Sequence, residues 1–287
     1  MIVPRELQTP DAVAEHYDEL DPFYREIWGE HVHHGLWTTG RETPDQAVEA
    51  LVAHLARALG LQPGQHVCDV GCGYGATAEW LSSRYEVHVT GITLSAVQFR
   101  QAQMRSAASP LLHFAQQDWL ENTFADGAFD HVIAIESSEH MTDKQRFFDE
   151  AYRTLRPGGR LAVYAWLARA GARPWEERHL LEPICREGRL PGMGSEAEYR
   201  AWATGAGFVL DGFEDLGTRV RRTWALCTSR VAKKLLTHPQ YRRYLLDACA
   251  RNRIFALSVP RIWIAYLTGS MGYGLLTAHK PAQSPGR

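Results

Sequence analysis

No apolar run in this 287-residue chain approaches the ~18 residues that a membrane-crossing helix needs. The first twenty residues, MIVPRELQTPDAVAEHYDEL, lack the basic-then-apolar layout of a secretory leader, so a cytoplasmic protein is expected. Cysteine is scarce: five residues, an odd number with no C-x-x-C pair, fit a reducing compartment and argue against a disulfide scaffold. There is no internal repeat, and a net charge of −2 names no partner by itself. Low-complexity sequence is confined to the tail, residues 281–287, which reads as disordered.

What is present is the composition of a globular protein, 45% hydrophobic and 22% charged, organised around Val67-Cys-Asp-Val-Gly-Cys-Gly-Tyr-Gly-Ala76. This stretch predicts a short buried strand that breaks into three alternating glycines and opens a helix over Ala76 to Ser83. Glycines at that spacing let a ligand lie against bare backbone N–H groups, and the helix start that follows favours a negative group. The spacing is GxGxG, with Asp69 two residues before the first glycine.

Before this motif, Thr9-Pro10-Asp11 predicts a helix start, the helix running to about Trp28 with Tyr17, Phe23 and Tyr24 on it. His31, His33 and His34 share a loop, but no carboxylate or cysteine stands there at ligand spacing, so no metal is expected. Thr43-Pro44-Asp45-Gln46 is a capping box for a second helix that ends at Gly60. Beyond the motif, strands are predicted at 66–70, 87–91, 111–115, 131–135 and 160–166, with helices between them and a turn at Arg156-Pro-Gly-Gly159. That alternation predicts an α/β fold, a doubly wound, mostly parallel, Rossmann-like sheet with ligands at the carboxyl ends of its strands. Two further strands, Phe208–Leu216 and Gly272–His279, bracket a helical insertion of about fifty residues, long enough to be a functional lid. The expected division is therefore an N-terminal helical segment over 1–62, a core of 63–217 with 271–280, and a lid over 218–270.

The strand ends nominate the site. Where a dehydrogenase would carry a ribose-binding acid after the second strand, this chain has Thr93-Leu94 and Gln98. Asp118 and Trp119 after the third strand offer a carboxylate for an exocyclic amine and a face for a purine. After the fourth, Ile135 is followed by Glu136, Glu139 and His140, three candidate bases among which the sequence does not choose.

Asp69–Gly75, the GITLS stretch with Gln98, Asp118-Trp119 and ESSEHMTDK together resemble class I S-adenosylmethionine (SAM)-dependent small-molecule methyltransferases, of the group that includes γ-tocopherol, sarcosine and sugar methyltransferases and the cyclopropane synthases. Asp21-Pro-Phe23, His34-Gly-Leu-Trp37, Tyr164-Ala-Trp166, Leu181–Cys185 and Met271–Gly274 extend the likeness over most of the chain. The resemblance implies SAM as cofactor, its methionine end held by Asp69, Gly71 and Gly73, its ribose by Thr93, Leu94 and Gln98, and its adenine by Asp118 and Trp119. It also implies that the Ile135 carbonyl meets the amino group, and that Glu139 stands where cyclopropane synthases carry an active-site glutamate. The sugar enzymes pair the histidine of this segment with an aspartate at the end of the fifth strand, where this chain has Trp166, so a His–Asp dyad is not expected.

Between Arg219 and Arg261 eleven lysines and arginines stand against one acid, Asp247, with aromatics between them. That imbalance implies an anionic partner. No nucleic-acid module accompanies it, so the expectation is a phosphorylated or membrane-embedded apolar molecule, with membrane-surface contact as the other use of the stretch. Tyr17, Trp37, Trp166, Trp224 and the pairs Arg221-Arg222 and Arg242-Arg243 are expected to face the acceptor. The reading that follows is C-methylation of an isoprenoid, either a prenyl diphosphate or a prenylated phenol. N- or O-methylation of an alkaloid, polyketide or sugar, and SAM binding without methyl transfer, are the alternatives.

Overall fold

The structure, a computed structural model, describes residues 1–282; the part of the tail reading that covers 283–287 lies outside the described residues. Seven strands form one sheet in the order β3-β2-β1-β4-β5-β7-β6: β1 His66–Val70, β2 His88–Thr93, β3 Leu112–Gln116, β4 Phe129–Ile135, β5 Leu155–Ala168, β6 Val209–Asp215 and β7 Met271–His279. Strands β1 to β5 pair in parallel, and β7 enters antiparallel between β5 and β6. The central strands are buried nearly end to end, β1 after its first residue and β4 at all but one position, because helices cover both faces and leave no solvent side for polar alternation.

Helices α1 (Pro10–Ile27) and α2 (Pro44–Leu59) start on the expected caps, Thr9 and the Thr43/Gln46 box, and α2 ends on Gly60 in the left-handed conformation. Leu51, Val52, Leu55 and Leu59 turn one face of α2 into the core. Helix α3 (Ala76–Tyr85) runs two residues past the predicted end, and α4 (Ala96–Ser106) starts on Ser95. Helix α5 (Lys144–Thr154) precedes β5, which begins earlier than the sequence predicts. Leu155 already pairs with Phe129, and the register then shifts so that Arg156–Gly159, predicted as a turn, bulge out before Arg160 meets His131. A helical run follows, with α6 (Pro174–Glu176) and α7 (Glu182–Glu187) joined by a π-helical turn, Glu177–Leu181. Helix α8 (Glu196–Gly205) starts on the Ser195/Glu198 capping box.

Between β6 and β7 stand α9 (Gly217–Val220), α10 (Arg222–Thr237), α11 (Pro239–Leu246) and α12 (Phe255–Thr268). Helix α1 and this insertion pack on each other above the carboxyl edge of the sheet, through Phe23 against Tyr241 and Tyr244 and through Tyr24 against Phe255. No described helix is long and apolar enough to cross a membrane.

Candidate active site

At the carboxyl edge of β1 to β4 lies a cleft of about 640 Å³. Its walls bring together Gly71, Gly73, Thr93, Leu94, Gln98, Asp118, Trp119 and Ile135, eight of the nine residues expected to hold the cofactor. The ninth, Asp69, is buried at the end of β1, off the cleft wall; its Oδ2 has no hydrogen-bond partner, and burial pushes its carboxyl up to about 7.

The glycine turn divides its labour. A Cβ on Gly71 would strike the Ser137 side chain at 2.3 Å, whereas one on Gly73 would enter open space, its nearest neighbour being Gln98 Nε2 at 4.0 Å. Gly71 therefore admits Ser137, whose hydroxyl donates to the Val70 carbonyl, and Gly73 forms the floor of the cleft. Thr93 donates to Gln98 Oε1 at 2.8 Å, and Ser95 Oγ accepts from Gln98 N at 3.0 Å, which fixes that loop. Asp118 Oδ1 accepts from Leu120 N at 2.9 Å, while the buried Trp119 donates its indole N–H to the Phe147 carbonyl at 3.1 Å. An open glycine floor, an orphaned buried carboxylate oxygen, the neutral Thr93 and Gln98, the Asp118 carboxylate and the Trp119 ring fit a nucleoside-bearing amino acid such as SAM.

A second cavity of about 480 Å³ adjoins the cleft. Tyr17, Val32, Glu136 and His140 border both spaces and form the doorway between them. Beyond it, Tyr24, Trp28, Trp166, Leu190, Trp224 and Phe255 make aromatic and apolar walls, and Glu139 is exposed to the cavity alone. No lysine or arginine among the described residues lines either space.

The three candidate bases are in different electrostatic states. Glu136, in a left-handed backbone conformation with φ 56°, accepts from His34 N (2.7 Å), His34 Nδ1 (2.9 Å), Tyr273 OH (2.7 Å) and Trp166 Nε1 (2.8 Å). Trp224 donates to His34 Nε2; an indole N–H can only donate, so the His34 ring proton sits on Nδ1. Burial raises the Glu136 carboxyl, but the His34 partners outweigh it and hold it down at about 2, so it stays ionised. Glu139 Oε1 accepts from Trp166 N and its Oε2 from Ser138 Oγ (3.2 Å); burial dominates and pushes this carboxyl up to about 7. His140 donates from Nδ1 to the Arg189 carbonyl (3.2 Å) and accepts at Nε2 from Tyr17 OH (2.9 Å); burial holds it down at about 4, hence neutral. A backbone carbonyl thus orients His140 where the sugar enzymes use an aspartate.

Several supporting residues were not anticipated. The buried Lys144 spends its ammonium on the carbonyls of Ser138 (3.0 Å), Glu139 (2.7 Å) and Met141 (2.7 Å), fixing the turn that carries both candidate bases. Asp18 on α1 accepts from Ser95 Oγ (2.5 Å) and Val97 N (3.1 Å), and Asp21 accepts from Tyr74 OH (2.8 Å), so two carboxylates clamp α1 onto the cofactor loops. Asn252, at the foot of α12, accepts from Arg189 Nε (3.0 Å) and donates to Glu19 (2.7 Å), linking insertion, α1 and the support of His140. The sequence signal for these was meagre: Lys144 closes the ESSEHMTDK stretch, and Asp21 opens Asp21-Pro-Phe23.

The structure corrects the expectation for the basic pairs. Arg222 lies over the Trp37 ring (4.7 Å from its centroid) and donates to the Gly40 carbonyl; Arg242 donates to the carbonyls of Leu235 (2.6 Å) and Leu236 (3.1 Å); Arg221 and Arg243 are exposed. None of the four lines the second cavity, because their helices turn aromatic and aliphatic faces inward and leave the charged heads outside. Trp37 also stands outside it, donating to Thr223 Oγ1 at 3.2 Å; Tyr17, Trp166 and Trp224 do line it.

The sheet order with a reversed β7, and the cleft at its carboxyl edge, define a class I SAM-dependent methyltransferase. Residues 5–273 match the family model described as mycolic acid cyclopropane synthetase, and the chain belongs to that family. It is 31% identical over 297 residues to the chloroplastic tocopherol O-methyltransferase of Arabidopsis thaliana (94% of this chain, 82% of that one). It is also 31% identical over 287 residues to the 27-O-demethylrifamycin SV methyltransferase of Amycolatopsis mediterranei (95% and 98%). Among solved structures, the 4+2 cyclase SpnF superposes with a TM-score of 0.82 at 28% identity (98% and 100% covered). A mycolic acid cyclopropane synthase complexed with SAH and CTAB has the same fold at 21% identity, TM-score 0.84 (96% and 99%). The protein is a SAM-dependent small-molecule methyltransferase.

Proposed function

We propose that the acceptor is a neutral phenol carrying a large apolar substituent, a prenylated phenol being the type, and that the methyl group goes to a ring carbon. One observation carries this reading: Glu139, a carboxyl group held near 7, faces an aromatic cavity that no cation lines. A diphosphate head group would find no charged partner there, and desolvating it would cost several kcal/mol. The prenyl-diphosphate half of the sequence expectation therefore loses its support, and the prenylated-phenol half keeps it.

SAM, when bound, supplies a methyl group activated by a sulfonium. Gly73, Thr93, Gln98, Asp118 and Trp119 would hold it, with the Ile135 carbonyl at its amino end. The chain's own work is alignment and exclusion of water. Glu136, ionised and with four donors on it, puts a fixed negative charge at the doorway, where positive charge moves from sulfonium to acceptor ring. Trp166 and Trp224 present aromatic walls to the ring once it is cationic. The Glu139 carboxylate then takes the proton from the methylated carbon, restoring the aromatic ring; Tyr17 and His140 orient the phenol hydroxyl.

Replacing Glu139 by Gln should lower kcat ~100-fold or more with SAM affinity unchanged. Wild-type kcat should rise about tenfold per unit of pH up to about 7 and then level, because the base must be ionised. A second reading, O-methylation with His140 as base, is favoured by its oriented, neutral ring and by the name of the Amycolatopsis relative. It requires kcat to be flat from roughly pH 5.5 to 8, since His140 is neutral above about 4. A flat profile with an active Glu139→Gln variant would replace the first reading by the second.

A further inference from the structure

The two most exposed large apolar side chains of the insertion flank one short helix, α11. Leu236, at the end of α10, and Leu246, at the end of α11, are each 82% exposed. Arg242 joins them: it donates to the Leu236 carbonyl, and Leu246 lies one helical turn beyond it on the same face of α11. Each leucine has a cation three residues before it on its own helix, Lys233 and Arg243. Of the eleven cations from Arg219 to Arg261, four pair with carboxylates: Arg219, Lys234, Arg251 and Arg261. Among the described residues, Lys233, Arg242 and Arg243 have no carboxylate partner. Asp247, the one acid of the stretch, turns an oxygen to Cys249 N at 2.9 Å. The α10–α11 tip is therefore both cationic and apolar, an arrangement that a solvated charged face does not need.

What lies behind the tip gives it direction. Leu235 and Leu245, the neighbours of the exposed leucines, line an apolar cavity of about 480 Å³ between α1 and the insertion, together with Phe23, Ile27, Val231 and Tyr244. Tyr24, Trp28 and Phe255 border this cavity on one side and the acceptor cavity on the other.

We propose that the α10–α11 tip docks on an anionic phospholipid bilayer, with Leu236 and Leu246 in the acyl–head-group boundary and Lys233, Arg242 and Arg243 against the phosphates. Protruding leucines ringed by unpaired cations match such a surface in both of its layers. An apolar acceptor dissolved in the bilayer then meets the apolar cavity without crossing water. The docking does not depend on which atom is methylated.

The test is flotation of the full chain with phosphatidylcholine vesicles, with and without phosphatidylglycerol. The expected result is binding that needs phosphatidylglycerol, weakens with salt, and falls ~10-fold or more in Leu236→Ser/Leu246→Ser. Lys233→Gln/Arg243→Gln should reduce it several-fold on the anionic vesicles only. All four side chains are exposed, so the variants should fold as the wild type does, which thermal melting checks. Wild-type protein that stays with the aqueous phase, or serine variants that float like wild type, would overturn the proposal. So would a concentration-dependent dimer broken by the two serines in protein that ignores vesicles, which would assign the tip to a second copy of the chain.

Discussion

Gly71 and Gly73 look alike in sequence and differ in what they do. Both have positive φ, 78° and 54°, but only Gly71 is packed against a side chain, Ser137. Gly71→Ala should therefore lower thermal stability through a clash inside the fold, by about 1–3 kcal/mol. Gly73→Val should leave the sheet contacts alone, cost about 1–2 kcal/mol in backbone strain, and remove measurable SAM binding by filling the floor of the cleft. Calorimetry beside thermal melting separates the two; SAM binding retained in Gly73→Val would count against this account of the cleft. The motif announced a ligand-holding turn, and Gly71 and Gly73 do line one cleft, while Asp69 lies off its wall. Their division of labour was not legible, because it is set by Ser137, a residue 66 positions further along the chain than Gly71. The same holds for the three acids and bases after β4. The residues themselves nominate Glu136, Glu139 and His140 together, with only the family resemblance pointing to Glu139, and their separation into an anion, a carboxyl near neutrality and a neutral imidazole comes from partners on distant elements, His34, Trp166 and Arg189.

At the scale of elements, α1 works as a clamp. Its Asp18 sits at the start of α4, its Asp21 on the glycine turn through Tyr74, and its Tyr17 at the doorway. Its cap and apolar face were plain in the sequence, since both follow from local spacing. Its polar anchoring to the β1 and β2 loops was not legible, because the bonds that make it span 53 to 79 residues. Asp18→Ala removes the acceptor for Ser95 and Val97 and should raise the Kd for SAM roughly five- to tenfold, an effect of about 1–1.4 kcal/mol. An unchanged Kd would mean that the cleft does not need the clamp. Strand β5 was misjudged for a related reason: Arg-Pro-Gly-Gly signals a turn by local chemistry, while pairing with β4 on both sides of it makes the turn a bulge.

At the scale of the whole molecule, a buried carboxyl ties stability to pH. Asp69 keeps an orphaned oxygen in the core with its carboxyl pushed up to about 7. A carboxyl raised in the folded state contributes stability below its unfolded value near 4 and loses that contribution as pH rises through about 7. The ligand-free protein should therefore lose, relative to Asp69→Asn, on the order of a few kcal/mol between pH 5 and pH 8. Melting curves that run parallel for the two proteins across that range would show that burial does not raise the Asp69 carboxyl. Charge is organised at the same scale. The cations that dominate the insertion point outward, so the imbalance visible in the sequence describes the protein's outer face and not its acceptor site.

The cavity proposed for the acceptor is aromatic and free of lysine and arginine, with the Glu139 carboxyl near neutrality facing it. The most direct measurement offers the enzyme a prenylated phenol and the matching prenyl diphosphate in competition, with SAM, following S-adenosylhomocysteine release and locating the new methyl group by NMR. The predicted result is turnover of the phenol, a methyl group on a ring carbon, and no effect of Arg221→Gln, Arg222→Gln, Arg242→Gln or Arg243→Gln on kcat/KM with a detergent-dispersed phenol. Faster methylation of the diphosphate, with loss of that activity in the arginine variants, would contradict it.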